Sequence, residues 1–316
     1  MAEELEAENA SWERSAKDLA AGAAGGIAQV LLGQPFDIIK VRLQTSNQYN
    51  SALDCGKKIL THEGPLAFYK GTLTPLIGIG ACVSVQFGAF HYARRHFEEQ
   101  NLKHANSLSP SSSTSPTSDT KPLSYPQYYA SGAFAGLTNS ILSGPIEHVR
   151  IRLQTQPHSP TQRLYSGPLD CIRKISSHAG ILSGLYRGQT VTLFREAQAY
   201  GVWFLTFEYL MNRDMARNGY SRKEISSPKV ALYGGIAGEA LWLASYPFDV
   251  VKSKMQTDGF GVGKQRYKNM RDCFRQTWTA EGWRGFWKGI GPTLMRAMPV
   301  SAGTFAVVEL AMRALG

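Results

Sequence analysis

The chain is short of cysteine, short of acid and without a long greasy run. Four cysteines stand among 316 residues and none form a CxxC pair, which argues against a disulfide framework or a zinc site. No segment is an extended stretch of leucine, isoleucine and valine, and mean hydropathy is −0.22. Such a composition does not force a membrane assignment. A helix bundle lining a polar path reads this way, because its inward faces carry polar groups. The 24 acids against 34 lysines and arginines leave a net charge of +10, which suits an anionic partner: nucleic acid, acidic lipid or an anionic solute. The bases are spread along the chain rather than gathered in a patch with stacking aromatics, so nucleic acid is not expected. No nucleophile–base motif, metal cluster or phosphate loop stands out, so neither an enzyme nor a bound cofactor is expected. The start, "MAEELEAENASWERSAK", lacks the basic opening and apolar core of a secretory signal, and also the Arg-rich, acid-poor character of a transit peptide. Any organelle address is therefore expected to be internal, with no cleavable presequence.

What is present is a phrase written three times: "QPFDIIKVRLQTS" from Gln34, "GPIEHVRIRLQTQ" from Gly144 and "YPFDVVKSKMQTD" from Tyr246. With Pro35, Pro145 and Pro247 in register, the surroundings match too. A pair of glycines four apart precedes each proline: Gly22 and Gly26, Gly132 and Gly136, Gly234 and Gly238. Small residues at that spacing let helices approach closely in a membrane. The marks "YNSALDC", "YSGPLDC" and "YKNMRDC" follow, and then phrases ending at Gly71, Gly188 and Gly289, where the second copy has Ala179 in place of Glu63 and Glu281. Next comes an apolar segment such as "GTLTPLIGIGACVSVQFGAF", free of charge for 20 residues and long enough to cross a bilayer as a helix. Each copy thus reads as a spanning helix, a polar connector with a short helix, and a second spanning helix. The expected organisation is an acidic tail over 1–17, repeats over 18–102, 123–218 and 219–316, and a Ser/Pro/Thr-rich linker over 103–122 that is expected to be disordered. Charges interrupt the later spans at Arg195, Glu196, Glu208, Glu239, Arg296 and Glu309. Each is costly in lipid and so is expected to face a wet interior.

Within each phrase the proline removes a helical hydrogen bond and kinks the axis, a defect tolerated in membranes where neighbours re-satisfy the backbone. The acid and the base three residues on share one helical face. Three copies of P-x-[DE]-x-x-[KR]-x-[KR] in a tripled context resemble the mitochondrial carrier family. The likeness covers nearly the whole chain outside the tail and linker. Within the family, "IGACVSVQFG", "GPIEHVRIRLQTQ" and the ending "GTFAVVELAMRALG" most resemble the YMC-type carriers of fungi, near the carnitine and basic amino acid branch. The resemblance implies an all-α membrane protein: six transmembrane helices as three pseudo-threefold repeats, with short helices on the matrix side, in the inner mitochondrial membrane.

The resemblance further implies a breakable matrix gate pairing Asp37 with Arg150, Glu147 with Lys252 and Asp249 with Lys40, braced by Gln44, Gln154 and Gln256. Exposed ion pairs contribute only ~0.2–1 kcal/mol each, little enough for substrate binding to open them. An opposite gate on the cytoplasmic side falls at His91, Arg94, Glu208 and Glu309. Met211 and Met312 stand where the family has bases, leaving Arg94 with Glu208 as the obvious pair and uniport open beside exchange. The implied substrate contacts are Gly78, Arg195, Glu196 and Arg296. An arginine fork suits a carboxylate, Glu196 suits an ammonium, and Gly78 leaves room. This favours an amino acid such as glutamate. If Arg296 instead neutralises Glu239, a basic amino acid or carnitine fits, with Trp203 and Trp242 as a wall for a quaternary ammonium or else as packing residues. A carrier-fold protein that only binds lipid or a partner is the remaining reading. The "YKG", "YRG" and "WKG" phrases imply cardiolipin held at helix starts, and a monomer is expected.

Overall fold

The computed structural model describes residues 2–46, 48–108, 123–156, 163–219, 221–259 and 265–314, and every regular element among them is helical. The long helices are α1 (Ala2–Thr45), α3 (Leu73–Leu108), α4 (Tyr125–Thr155), α6 (Gln189–Asn218), α7 (Ser227–Thr257) and α9 (Ile290–Ala314), and the short ones are α2 (Ala52–Glu63), α5 (Pro168–Ala179) and α8 (Met270–Gly285). The order long, short, long occurs three times. Helices α1, α4 and α7 continue through Pro35, Pro145 and Pro247. Two stretches are long and apolar enough to cross a membrane, Pro65–His104 and Ile290–Ala314.

Two sequence expectations shift. The acidic tail belongs to α1, which begins at Ala2, because its glutamates and alanines are strong helix formers. The linker begins later than residue 103: α3 runs to Leu108, two residues before Pro110, whose ring disfavours helix in the residue ahead of it. Residues 109–122 lie outside the described ones.

The repeated "DC" mark starts each short helix. Asp54, Asp170 and Asp272 accept the backbone N–H four residues earlier, from Asn50, Ser166 and Lys268, at 3.1, 2.9 and 3.0 Å. Carboxylates in a first helical turn also complement the helix dipole. Cys55, Cys171 and Cys273 are each fully buried. Glycines with positive φ end the short helices, at Gly64 and Gly180, and break α8 at Gly282.

The chain divides into two compact units. The first comprises Met1–Ile79, Val149–Lys174 and Lys288–Gly316. In it α1 packs on α9, and Ile38, Cys55, Ile59 and Ala67 form a small core between α1, α2 and the following turn. The second comprises Gly80–His148 and Ile175–Trp287. In it α6 packs on α7. One core gathers Phe90, Leu123, Tyr128, Ala135 and Phe204, the Phe90 and Phe204 rings stacked at 3.6 Å, and another gathers Val191, Val251, Met255, Tyr267, Cys273 and Phe286.

Of the glycine pairs, only the second marks a tight approach. A Cβ on Gly132 would lie 2.4 Å from the Tyr200 carbonyl oxygen and one on Gly136 2.2 Å from that of Glu196, so α4 meets α6 backbone to backbone. Gly22, Gly26, Gly234 and Gly238 have open space instead, and on α1 it is Gly25 that faces Val308 and Thr304 of α9.

Candidate gate and substrate site

In the first unit, Asp37 of α1 lies in a cluster of two arginines. Arg150 donates to its Oδ2 at 2.6 Å, and Arg296 of α9 stands 3.3 Å from its Oδ1. Arg150 also donates to Gln34 Oε1 at 2.5 Å, while the Gln34 amide donates to the Lys70 carbonyl at 2.7 Å. Gln34 is wholly buried and was not foreseen as a site residue. The equivalent positions hold Gly144 and Tyr246, so no repeat signal marks it. Gly33 makes room for Arg296, since a Cβ there would fall 2.7 Å from its Nε. The acid beside Arg296 is thus Asp37. Glu239, the other acid considered for Arg296, is half-buried and belongs to the second unit.

In the second unit, Lys252 of α7 hydrogen-bonds Glu147 of α4 and stands 3.9 Å from Glu196 of α6. Arg195 hydrogen-bonds Glu196, lies 3.6 Å from Asp249, and rests over the Trp242 ring at 5.2 Å. Trp242 therefore already holds a cation. Trp203 stacks on Phe207 and meets Phe204 edge-on, as a packing residue. Asp249 and Lys40 are both buried but belong to different units.

Burial sets the energy scale for the charges around Arg195. Arg195, Glu196, Asp249 and Lys252 are all at most 8 % exposed. Removing one partner of a buried pair strands a charge, at a cost of about 3–5 kcal/mol, well above the figure for exposed pairs. Glu196 Oε2, Arg195 Nε and Arg296 Nε are buried polar atoms with no hydrogen-bond partner among the described residues. Unsatisfied polar atoms of this kind are uncommon in folded proteins and call for an explanation. Gly78 is buried on α3.

The second base of each phrase has a separate task. Arg42 forks onto Glu63, and Lys254 donates to Glu281 at 2.6 Å, each tying a long helix to the short helix that follows. In the second repeat, where Ala179 replaces the acid, Arg152 reaches the Tyr165 hydroxyl at 3.4 Å instead. The buried brace glutamines Gln154 and Gln256 lie against glycines: their Cγ atoms fall 3.4 and 3.5 Å from a Cβ placed on Gly71 and Gly188. Both glycines adopt a left-handed φ, +76° and +81°, which side chains resist. Gln44 is likewise buried.

The four cytoplasmic-gate positions take local partners. Arg94 pairs with Glu98 at 2.8 Å and Glu309 with Arg313 at 2.8 Å, each within one helix. Glu208 takes a two-point fork from Arg222 at 2.7 and 2.8 Å. His91 packs against Phe90 and Phe87. Side chains one helical turn apart, or on an adjoining turn, meet without any helix having to move.

The sequence of this chain matches known proteins. Residues 11–101, 121–215 and 223–316 each match the sequence model of the mitochondrial carrier protein. The chain belongs to the mitochondrial carrier family. It is 49% identical over 301 residues to the glutamate/glycine mitochondrial carrier of Schizosaccharomyces pombe, covering 94% of this chain and 93% of that one. It is 48% identical over 305 residues to the mitochondrial glycine transporter YMC1 of Saccharomyces cerevisiae, with coverages of 96% and 92%. A more distant relative is the mitochondrial basic amino acids transporter of Mus musculus, 39% identical over 301 residues, with coverages of 94% and 89%.

Proposed function

We propose that this chain carries a small amino acid, glycine or glutamate first, across the inner mitochondrial membrane by alternating access. The observation that carries the reading is the set of unpartnered buried atoms on Arg195, Glu196 and Arg296. In the second unit Arg195 Nε offers a carboxylate a donor and Glu196 Oε2 offers an ammonium an acceptor; Arg296 is proposed as the second guanidinium. Gly78 leaves space on the remaining wall. Asp37 with Arg150, Glu147 with Lys252 and Asp249 with Lys40 form the matrix gate, with Gln44, Gln154 and Gln256 as braces. The names of the two fungal relatives support glycine and glutamate. The acids around Arg195 and the name of the mouse relative support a basic amino acid as the second reading. Carnitine is disfavoured because Arg195 already occupies the Trp242 ring.

Six spans, two in each of the repeats 18–102, 123–218 and 219–316, complete the proposal. Outward apolar side chains on the four long helices beyond the two apolar stretches support it: Ile27, Phe134, Ile141, Phe194, Leu232 and Leu243 are all exposed, a pattern suited to lipid. Cardiolipin is proposed at the "YKG" phrase. There Tyr69, Lys70 and Gly71 line a groove with Arg163, Ser166 and Gly167, offering two cations and a helix start to a phosphate. The carrier acts as a monomer.

The test is uptake into cardiolipin-containing proteoliposomes of labelled glycine, glutamate, ornithine and carnitine, side by side, with Arg195→Ala beside the native chain. Glycine or glutamate uptake, lost at least tenfold in Arg195→Ala while the protein stays folded, is the expected result. Full uptake by Arg195→Ala removes that residue from the site, and transport of carnitine alone overturns the substrate reading.

A further inference from the structure

The partners of the cytoplasmic-side charges suggest a second task for two residues outside the family motif. Glu208 is 3 % exposed on α6. In the repeated pattern its base would stand three residues on, and that residue is Met211, itself buried. The cation comes instead from Arg222, in the short turn Arg222–Glu224 between α6 and α7. Both Nη atoms of Arg222 engage both carboxylate oxygens of Glu208, at 2.7 and 2.8 Å. A two-point guanidinium–carboxylate contact fixes direction as well as charge. The turn is firmly built: Ser221 and Glu224 close a capping box, with the Ser221 N–H donating to Glu224 Oε2 at 2.6 Å, and Lys229 reaches Asp214 at 3.3 Å just beyond it.

Arg94, the one base at these gate positions, is held in the same manner. Its Nε donates to Glu98 at 2.8 Å, one turn along α3. Phe90 and Phe204, one turn before Arg94 and Glu208 on their helices, stack at 3.6 Å, so α3 and α6 lie side by side at this level. With the Asp37–Arg150 and Glu147–Lys252 contacts made, the acid and the base expected to pair on the cytoplasmic side in this unit, Glu208 and Arg94, each have another partner.

We infer that Arg222 and Glu98 are holding residues: they keep Glu208 and Arg94 apart while the matrix gate is closed, and closing the cytoplasmic side exchanges these two local pairs for the Arg94–Glu208 pair. Arg222 supplies the base that Met211 does not. The inference rests on the transport reading above, and its sign follows from competition. Removing either holding residue frees one gate charge to meet the other, which shifts the population toward the form closed on the cytoplasmic side.

The test uses the full chain in cardiolipin-containing liposomes, with spin labels on cysteines at Arg95 and Arg213, both exposed, in a Cys82→Ser background. Distances between the labels are measured by double electron–electron resonance. Arg222→Ala is expected to raise the shorter-distance population about two- to fivefold, the ratio suited to losing one partly exposed pair. Arg222→Lys should keep the native distribution, and Glu98→Gln, a half-exposed change that leaves α3 intact, should shift it in the same direction as Arg222→Ala. Native distributions in both Arg222→Ala and Glu98→Gln overturn the inference. A lower melting temperature with an unmoved distribution also overturns it, because Arg222 is then only a structural clamp. Glycine uptake is measured on the same samples: a shifted distribution without native-chain uptake leaves the inference standing and removes the substrate reading alone.

Discussion

Glu63 closes α2 where three charged side chains converge. Arg42 forks onto its carboxylate, the second oxygen at 2.9 Å from Nη2, and Lys70 donates at 2.7 Å. Burial pushes this carboxyl up, but the hydrogen bonds and charges of Arg42 and Lys70 outweigh it and hold it at about 2. A folded value below the unfolded one, ~4.3, means that the contribution to stability is complete above the unfolded value and is lost as pH falls toward the folded one. Glu63→Gln is expected to lower the melting temperature at neutral pH. The gap to the native chain should stay constant down to roughly pH 5 and close between about pH 4.5 and pH 2. A gap unchanged across that acid range would contradict this account. The sequence marked Glu63, Ala179 and Glu281 as matched positions but did not assign their partners. The reason is angular. Arg42 stands two residues beyond Lys40, about 200° around the helix, so the two bases of one phrase address different neighbours, and only the first faces the gate acids.

Among the helices, the meeting of α4 and α6 carries the site. Gly132 and Gly136 let the α4 backbone lie against Tyr200 and Glu196, and Glu196 and its neighbour Arg195 are the residues proposed to hold substrate. A methyl group at Gly136 has nowhere to go except by moving α6. Gly136→Ala is expected to destabilise the protein by about 1–3 kcal/mol and to weaken uptake. Gly22→Ala, facing open space, is expected to be neutral or stabilising by up to ~1 kcal/mol through helix propensity. Thermal unfolding of the two variants side by side checks this, and equal losses would show that the α4–α6 approach is not the tight one. The spacing of four was readable in all three repeats. Its use was not, because it places small residues on one face without fixing whether another backbone lies opposite, and on α1 the contact moved to Gly25.

Across the molecule, each short helix hides one thiol. Cys55, Cys171 and Cys273 are fully buried, and burial pushes their thiols up to about 11, about 12 and about 12. Since the thiolate is the nucleophile, these three are expected to resist maleimide in the native state and to label together at the onset of global unfolding. The half-buried Cys82 should label first. Mass spectrometry of labelled peptides against temperature reads the order, and early labelling of Cys171 would show that the second repeat opens alone.

The sequence by itself determined the threefold plan, the short helix after each proline phrase, and the acid and base on a shared face. All of these follow from local periodicity or from a pattern repeated often enough to be read. Tertiary structure alone decided that Arg296 joins Asp37, that Gln34 bridges Arg150 and Lys70, that Trp242 carries Arg195, and that Glu208 is met by Arg222. Each of these joins one helix or turn to another, through a contact that the repeat pattern does not assign. Helical spacing fixes which way a side chain leaves its own helix, but what waits there depends on how distant parts of the chain pack.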